Sequence, residues 1–304
     1  MYDDNDRSED ILLFDEEEPE TEFFDDPDGD DTDLLIDEGE DRGGRDSGQQ
    51  VRCGGLRRSG NQMVGGTSLL TDVDLVFVID CTGSMEPCLS MVKAHAKSLH
   101  NDIMTGLGNK SRQVHKLRVK VIAYRDYYFD WADPEHPPMT ESEFFTLPEQ
   151  EAEYAAFVDS LEYAGGEDEP ESALEALHLA FHSKWMNDPN VTKKRQVILL
   201  FTDASAHPLN DSMRYDPAFN SHYPEGMPEN LTELQDEFMS AEVFPVDGNG
   251  YPTGHRLILF APEEMEPWKQ VRLWDETICR SMDPERGLEG LGMEDVIMFI
   301  SGSL

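Results

Sequence analysis

Asp80, Thr82 and Ser84 stand at alternate positions around Gly83, directly after five consecutive apolar residues, Leu75 to Ile79. One carboxylate and two hydroxyls at this spacing form an oxygen-only donor set. Hard divalent cations such as Mg2+ or Mn2+ take donors of this kind while keeping some water and accepting an outside ligand. Four of the five residues before Asp80 are β-branched or aromatic, so they read as a strand buried on both faces inside a parallel sheet. Open α/β sheets bind their ligands at the carboxyl ends of such strands. Two later stretches carry matching chemistry. Asp203 ends the apolar run Gln196 to Thr202, QVILLFT, as Asp80 ends the first. Gly165-Gly166-Glu167-Asp168-Glu169-Pro170 sets three acids in a turn before a helix that contains Ala173-Leu174. Simpler roles exist for each: Ser84 as a helix cap, and residues 167–169 as acids that favour the positive end of the following helix.

The spacing Asp-x-Thr-x-Ser after such a strand resembles the metal-ion-dependent adhesion site of the von Willebrand factor A family, whose usual form is Asp-x-Ser-x-Ser. In that family a Gly-Gly-x-Thr turn supplies a further metal loop. Here the glycines and Ala173-Leu174 match, while Asp168 stands where the Thr would be. The family's last metal loop closes on Thr-Asp, as Thr202-Asp203 does, with Ala204 where Gly is common. The wording DxTGSM, AYRD, GGxDxPE and TDAxxH is most similar to the family's intracellular bacterial branch, which includes A domains beside alpha-type kinases and in tellurite-resistance-like gene clusters. The resemblance covers about Thr71 to the C-terminus. It implies Asp80, Thr82, Ser84, Asp168 and Asp203 as metal ligands, with Mg2+, or Mn2+ or Ca2+, as the ion. Arg125, Asp126 and His207 fall near the same edge as candidate partner contacts. With three carboxylates around a divalent ion the site keeps a formal charge of about −1, so it holds the ion tightly but attracts an acidic ligand less than an integrin-like site.

These loops need a sheet to carry them. Glu86 to Leu107 has the spacing of an amphipathic helix, Leu117 to Tyr124 (LRVKVIAY) of a second strand, and Glu143 to Leu147 of a short edge strand. A helix is predicted from about Glu149 to Tyr163. A polar insertion runs from Ser205 to Gly254, with a helix from Leu231 to Ala241; loops of this length in a compact domain are usually functional or mobile. Arg256 to Ala261 reads as a strand, Glu264 to Ser281 as a helix, and Val296 to Ser301 as a closing strand. Strands alternating with helices predict a three-layer α/β sandwich around a mainly parallel sheet, and the family resemblance implies a Rossmann-like strand order 3-2-1-4-5-6. His178 and His182 lie four apart on one predicted helix and could share a face, but no third ligand stands at a telling distance for zinc, so they read as surface or packing histidines.

Composition bounds the function. The 304 residues carry a formal net charge of −40, of which roughly −16 falls in the first 70, and 38% of the chain is hydrophobic. Acids, Gly, Ser and Arg dominate residues 1 to 70, which predicts a disordered acidic tail ahead of a domain at 71–304. Apolar islands at Ile11 to Phe14, Phe23-Phe24 and Leu34 to Ile36 could dock on a basic, apolar groove. Asp26, Asp28 and Asp30 imitate the start of an EF-hand, but Asp31 occupies the place of its required Gly. Gly43 to Gly66 reads as linker. The acidic balance argues against nucleic acid or an anionic membrane and for a basic protein surface as partner. The absence of a signal-like N-terminus and of a long apolar run, with Cys53, Cys81, Cys88 and Cys279 showing no disulfide framework, predicts a cytoplasmic protein. The expectation is a divalent-metal-dependent protein-interaction module, an adaptor or regulatory part of an intracellular multiprotein system and not an enzyme. The alternative is a metal-dependent phosphohydrolase with Asp80 as nucleophile. Thr82 stands where a haloacid-dehalogenase-like phosphatase would want a second Asp, and no G-x-G-x-x-G follows a strand to suggest a dinucleotide.

Overall fold

The computed structural model describes residues 70–107, 113–130, 133–166, 169–188, 191, 193–215, 223–246, 252, 254–281 and 292–303. The expected acidic tail, the linker and Asp168 lie outside the described residues. Seven strands make one sheet: β1 (Leu70–Asp80), β2 (Gln113–Tyr124), β3 (Met139–Glu141), β4 (Phe145–Leu147), β5 (Lys193–Phe201), β6 (His255–Ala261) and β7 (Thr277–Ser281). Their order is β3-β2-β1-β5-β6-β7, with β4 also on β2. β1 pairs in parallel with β2 and β5, β5 with β6, and β6 with β7, while β3 and β4 run antiparallel to β2. The central strands are continuous apolar runs because both faces are covered.

Side chains of β1 alternate between two cores. Val73, Leu75, Phe77 and Ile79 face α1 (Glu86–His95), α2 (Leu99–Leu107), α4 (Glu151–Ser160) and α8 (Met293–Ser303). Val76 and Val78 face α5 (Ala173–Phe181), α6 (Leu231–Phe238) and α7 (Trp268–Val271), with the short α3 (Tyr127–Asp130) beside them. The result is the three-layer sandwich that alternating strands and helices predict, in the order that the family resemblance implies, with a different segment in the last place of the sheet.

The structure corrects the C-terminal elements. Val296 to Ser301 is not a strand: it lies in α8, where Met293, Val296, Ile297 and Ile300 are buried at helical spacing and Met298 is 59% exposed. A short apolar run cannot be assigned by composition alone, and here the one-sided burial identifies a helix. The last place in the sheet goes to Thr277–Ser281, within the stretch expected to be helical. There the chain leaves α7, turns at Glu276 with a φ of 61°, and pairs β7 with β6. The helix expected over 86–107 is divided at residues 96–98, the edge strand expected over 143–147 is β4, and β3 precedes it as a further short strand on β2. Among the described residues, no helix is long and apolar enough to cross a membrane.

Candidate metal centre

Asp80 ends β1 with no solvent exposure, and three hydrogen bonds define its environment. Its Oδ1 accepts the Thr82 amide at 2.9 Å and the Thr82 hydroxyl at 2.6 Å, and its Oδ2 accepts the Thr202 hydroxyl at 3.0 Å. Ser84, exposed in the turn after Thr82, donates to Asp203 Oδ1 at 3.0 Å and lies 3.5 Å from the Thr82 hydroxyl. A chain separation of 119 residues between Ser84 and Asp203 is closed because β1 and β5 are parallel neighbours whose carboxyl ends share one edge. Asp80 and Thr82 are the deepest of the four, and Ser84 and Asp203 form the rim.

The third loop meets the first through its backbone. Ala164 donates to the Cys81 carbonyl at 3.0 Å, and Gly83 donates to the Gly165 carbonyl at 3.3 Å. Gly165 and Gly166 have φ of 74° and 79°, in the left-handed region that glycine enters at little steric cost. A Cβ on Gly166 would lie 2.8 Å from Thr82 Cβ, so the glycine is needed for close approach as well as for its dihedrals. Asp168 follows two residues later, outside the described residues.

Burial pushes the Asp80 carboxyl up to about 6, against the pull of its bonds to Thr82 and Thr202, and the Asp203 carboxylate adds to the rise. Asp203 is likewise raised by burial, with Ser84 opposing. Among the described residues no basic side chain pairs with Asp80. A cluster of oxygen donors around a buried carboxylate without a cation of its own fits a hard divalent ion, with Asp80, Thr82, Ser84 and Asp203 as the described residues that would hold it. Cys81, next to Asp80, takes no part as a thiolate, since burial pushes its thiol up to about 12.

Arg125, Asp126 and His207, expected as partner contacts, lie within the fold at 4%, 4% and 8% exposure. Arg125 donates to the carbonyls of Pro137 and Glu162, tying the 161–166 loop to the end of β2. Asp126 Oδ1 accepts the Tyr128 amide at 2.8 Å and the Ser172 hydroxyl at 3.4 Å, with His207 Nε2 at 3.1 Å. These side chains face their own chain and hold the loops behind the centre. Two residues that sequence reasoning passed over also position it. Thr202 bonds Asp80 and accepts the Ala204 amide at 3.1 Å, and its place before Asp203 was the available signal. Trp268 Nε1, on α7, donates to the Ala204 carbonyl at 2.8 Å, a contact with no trace in the sequence.

Parts of the chain are similar to known proteins. Residues 74–214 match the family model described as the von Willebrand factor A domain. The alpha-protein kinase vwkA of Dictyostelium discoideum is 28% identical over 159 residues, 52% of this chain and 22% of that protein, so the chain spans about a fifth of the curated relative's length. Two structures of the pilus adhesin SpaC from Lactobacillus rhamnosus GG align with TM-scores of 0.43 and 0.40 at 12% and 14% identity, each over 77% of this chain and 30% of the adhesin. The sheet order and the converging Asp80 and Asp203 loops go with the family match: residues 74–214 are similar to a von Willebrand factor A domain.

Proposed function

We infer that the matched domain serves as its family generally does, in protein interaction, and commonly with a divalent metal bound. We propose that this one binds a partner protein in a divalent-metal-dependent manner, as an adaptor or regulatory component, through the edge that carries Asp80, Thr82, Ser84 and Asp203. The observation that supports it most is the fully buried Asp80, hydrogen-bonded among the described residues by hydroxyl and amide donors and no basic side chain, with the Ser84 to Asp203 contact 3.0 Å long at the rim above it. Mg2+ is the ion that the oxygen donors suit, with Mn2+ or Ca2+ as substitutes. Asp168 would add a third carboxylate.

The same edge offers surface for a partner. Phe129 on α3 is 65% exposed and Tyr163 is 48% exposed, two residues before Gly165. Exposed aromatics beside a polar centre are the usual anchors of an interface. The formal charge of −40 selects a partner with a basic surface. A phosphohydrolase with Asp80 as nucleophile is less well supported, because both carboxylate oxygens are engaged and the side chain has no exposure.

The test is affinity capture with the wild type beside Asp80→Ala, with and without chelator. A basic protein retained only by the wild type with metal is the expected result, and Phe129→Ala should weaken capture without changing metal binding. Equal capture by wild type and Asp80→Ala would remove the metal from the interaction. Phosphate release from a generic ester, lost in Asp80→Asn, would favour the enzyme instead.

A further inference from the structure

A second constellation of metal-ligating side chains lies outside the centre at Asp80. His178 on α5, His182 at its C-terminal cap and Glu237 on α6 bring one ligand atom each to within 4.8 Å of the others. Glu237 is 59 residues beyond His178, which is why no spacing in the sequence pairs it with the two histidines. It arrives because α6, in the segment that follows Asp203, packs on α5 through Phe238 and Phe181, whose ring centroids are 5.2 Å apart.

We propose that His178, His182 and Glu237 form a Zn2+ site that fastens α6 to α5. His178 Nδ1 lies 2.9 Å from Glu237 Oε2, and His182 Nε2 lies 3.5 Å from the same oxygen. A tetrahedral zinc with N and O ligands at about 2.0–2.1 Å has ligand atoms about 3.3 Å apart, so the two separations already bracket the edges of such a site. The second ring nitrogen of His178, Nε2, lies 3.3 Å from the Glu225 carbonyl, an acceptor only. A proton on Nε2 satisfies that contact and leaves the Nδ1 lone pair pointing at a carboxylate. This is the arrangement by which a backbone carbonyl fixes the tautomer of a metal-bound histidine.

Without a metal the same geometry needs protons in its place. One extra proton on His178 would satisfy one contact with Glu237. The neutral Nε2–H tautomer of His182 can donate to the same oxygen, so all three side chains converge there, with the two rings 4.6 Å apart at their centroids. A single divalent cation serves both imidazoles and the carboxylate together. Imidazole and carboxylate donors suit Zn2+, whereas Mg2+ favours oxygen alone, so the two centres of this chain select different ions. His178 is buried and the His182 side chain is 47% exposed, which leaves the fourth position open to water on the solvent side.

The test uses the full chain stripped with chelator and returned to saturating Mg2+, then titrated calorimetrically with Zn2+. One zinc per chain is expected, retained in Asp80→Ala and weakened roughly 100-fold in His182→Ala, the upper end of what even an outer-sphere change costs a zinc site. His182 is exposed enough for that variant to fold. Glu237→Gln, which keeps the side chain's shape, provides the same readout should circular dichroism show His182→Ala unfolded. Co2+ in place of Zn2+ should give the intense visible bands of a four-coordinate ion in the wild type and not in His182→Ala. Zinc isotherms that coincide for the wild type and both variants, or no zinc bound above the Mg2+ background, would overturn the proposal.

Discussion

Asp74 and Asp80 lie six residues apart on β1, both at 0% exposure, and differ in what neutralises them. Asp74 is the register partner of Arg118 on β2 and receives that guanidinium on both oxygens at 2.8 Å, together with the Met186 amide at 2.6 Å. Burial raises its carboxyl above the ordinary carboxylate value, against the opposing pull of Arg118. Asp80 has two hydroxyls and one amide but, among the described residues, no basic partner, and burial carries it to about 6. An enclosed carboxylate with a built-in counterion is a structural element. One with neutral donors and no counterion is a place for an ion from outside.

The largest effect expected from this contrast is on the structural side. Asp74→Ala leaves the Arg118 guanidinium, 17% exposed, without its counterion and should cost about 3–5 kcal/mol of stability by urea denaturation, the range for breaking a buried pair. A loss below about 1 kcal/mol would mean that Arg118 relaxes into water and the two aspartates differ less than the geometry indicates.

The opposite sign is expected at Asp80. Its folded value of about 6 stands above the usual carboxylate value of about 3.9, so between those limits the folded state holds a proton that the unfolded state has lost. Metal-free stability attributable to this group therefore falls as pH rises from about 4 to about 6, and the penalty is fully present above that window. In chelator at neutral pH, Asp80→Asn should be more stable than the wild type by up to about 3 kcal/mol, with the difference vanishing below about pH 4. Added Mg2+ should reverse the ranking, since a ligand at 100 times its Kd stabilises the wild type by about 2.7 kcal/mol and the variant lacks the carboxylate to hold it. A metal-free Asp80→Asn that is less stable than the wild type at every pH would show that the charge at Asp80 is compensated from within.

Sequence made one of these aspartates legible and concealed the other. Asp80, Thr82, Ser84 and Asp203 were readable because each follows or ends a continuous apolar run, and the parallel sheet brings the ends of such runs together without further information. Asp74 looked like the residue before a strand. Its burial depends on the pairing of β1 with β2, which places it opposite Arg118, and register is a tertiary fact. The central strands were legible for the same reason as the centre. At the C-terminus, the apolar run 296–301 suits a helix face or a strand equally until packing chooses, and 277–281, TICRS, has too few apolar residues to announce the strand it forms. His178 and His182 were seen as a pair, but their third neighbour came from a separate helix.

Thr202 sharpens the contrast at smaller scale, because it serves Asp80 where Arg118 serves Asp74. Thr202→Val keeps the shape of the side chain but removes a hydroxyl that donates to Asp80 Oδ2 and accepts the Ala204 amide, both in buried surroundings. Two groups lose one partner each, so a loss of about 1–2 kcal/mol is expected in chelator, well below that for Asp74→Ala. Crystallographic or spectroscopic evidence that Asp203 moves away from Ser84 in this variant would add that Thr202 aligns the β5 loop as well as serving Asp80.

The smallest effect on stability, and the finest test of what the rim does, belongs to Ser84. Its hydroxyl is exposed, and its bond to Asp203 competes with water, so Ser84→Ala should change metal-free stability by no more than about 0.5 kcal/mol. Metal binding should respond out of proportion, because a rim oxygen that ligates the ion is lost while the enclosed Asp80 is untouched. The measurement is the Mg2+ concentration that gives half of the total rise in Tm, compared for Ser84→Ala and the wild type. A shift to higher Mg2+ with little change in the metal-free Tm assigns Ser84 to the ion. An unshifted midpoint would restrict the ion's protein ligands to the deeper groups and Asp203. Ser84 would then be a hydrogen-bond donor that steadies Asp203, as Thr202 steadies Asp80, and the difference between the two aspartates of β1 would rest on carboxylates alone.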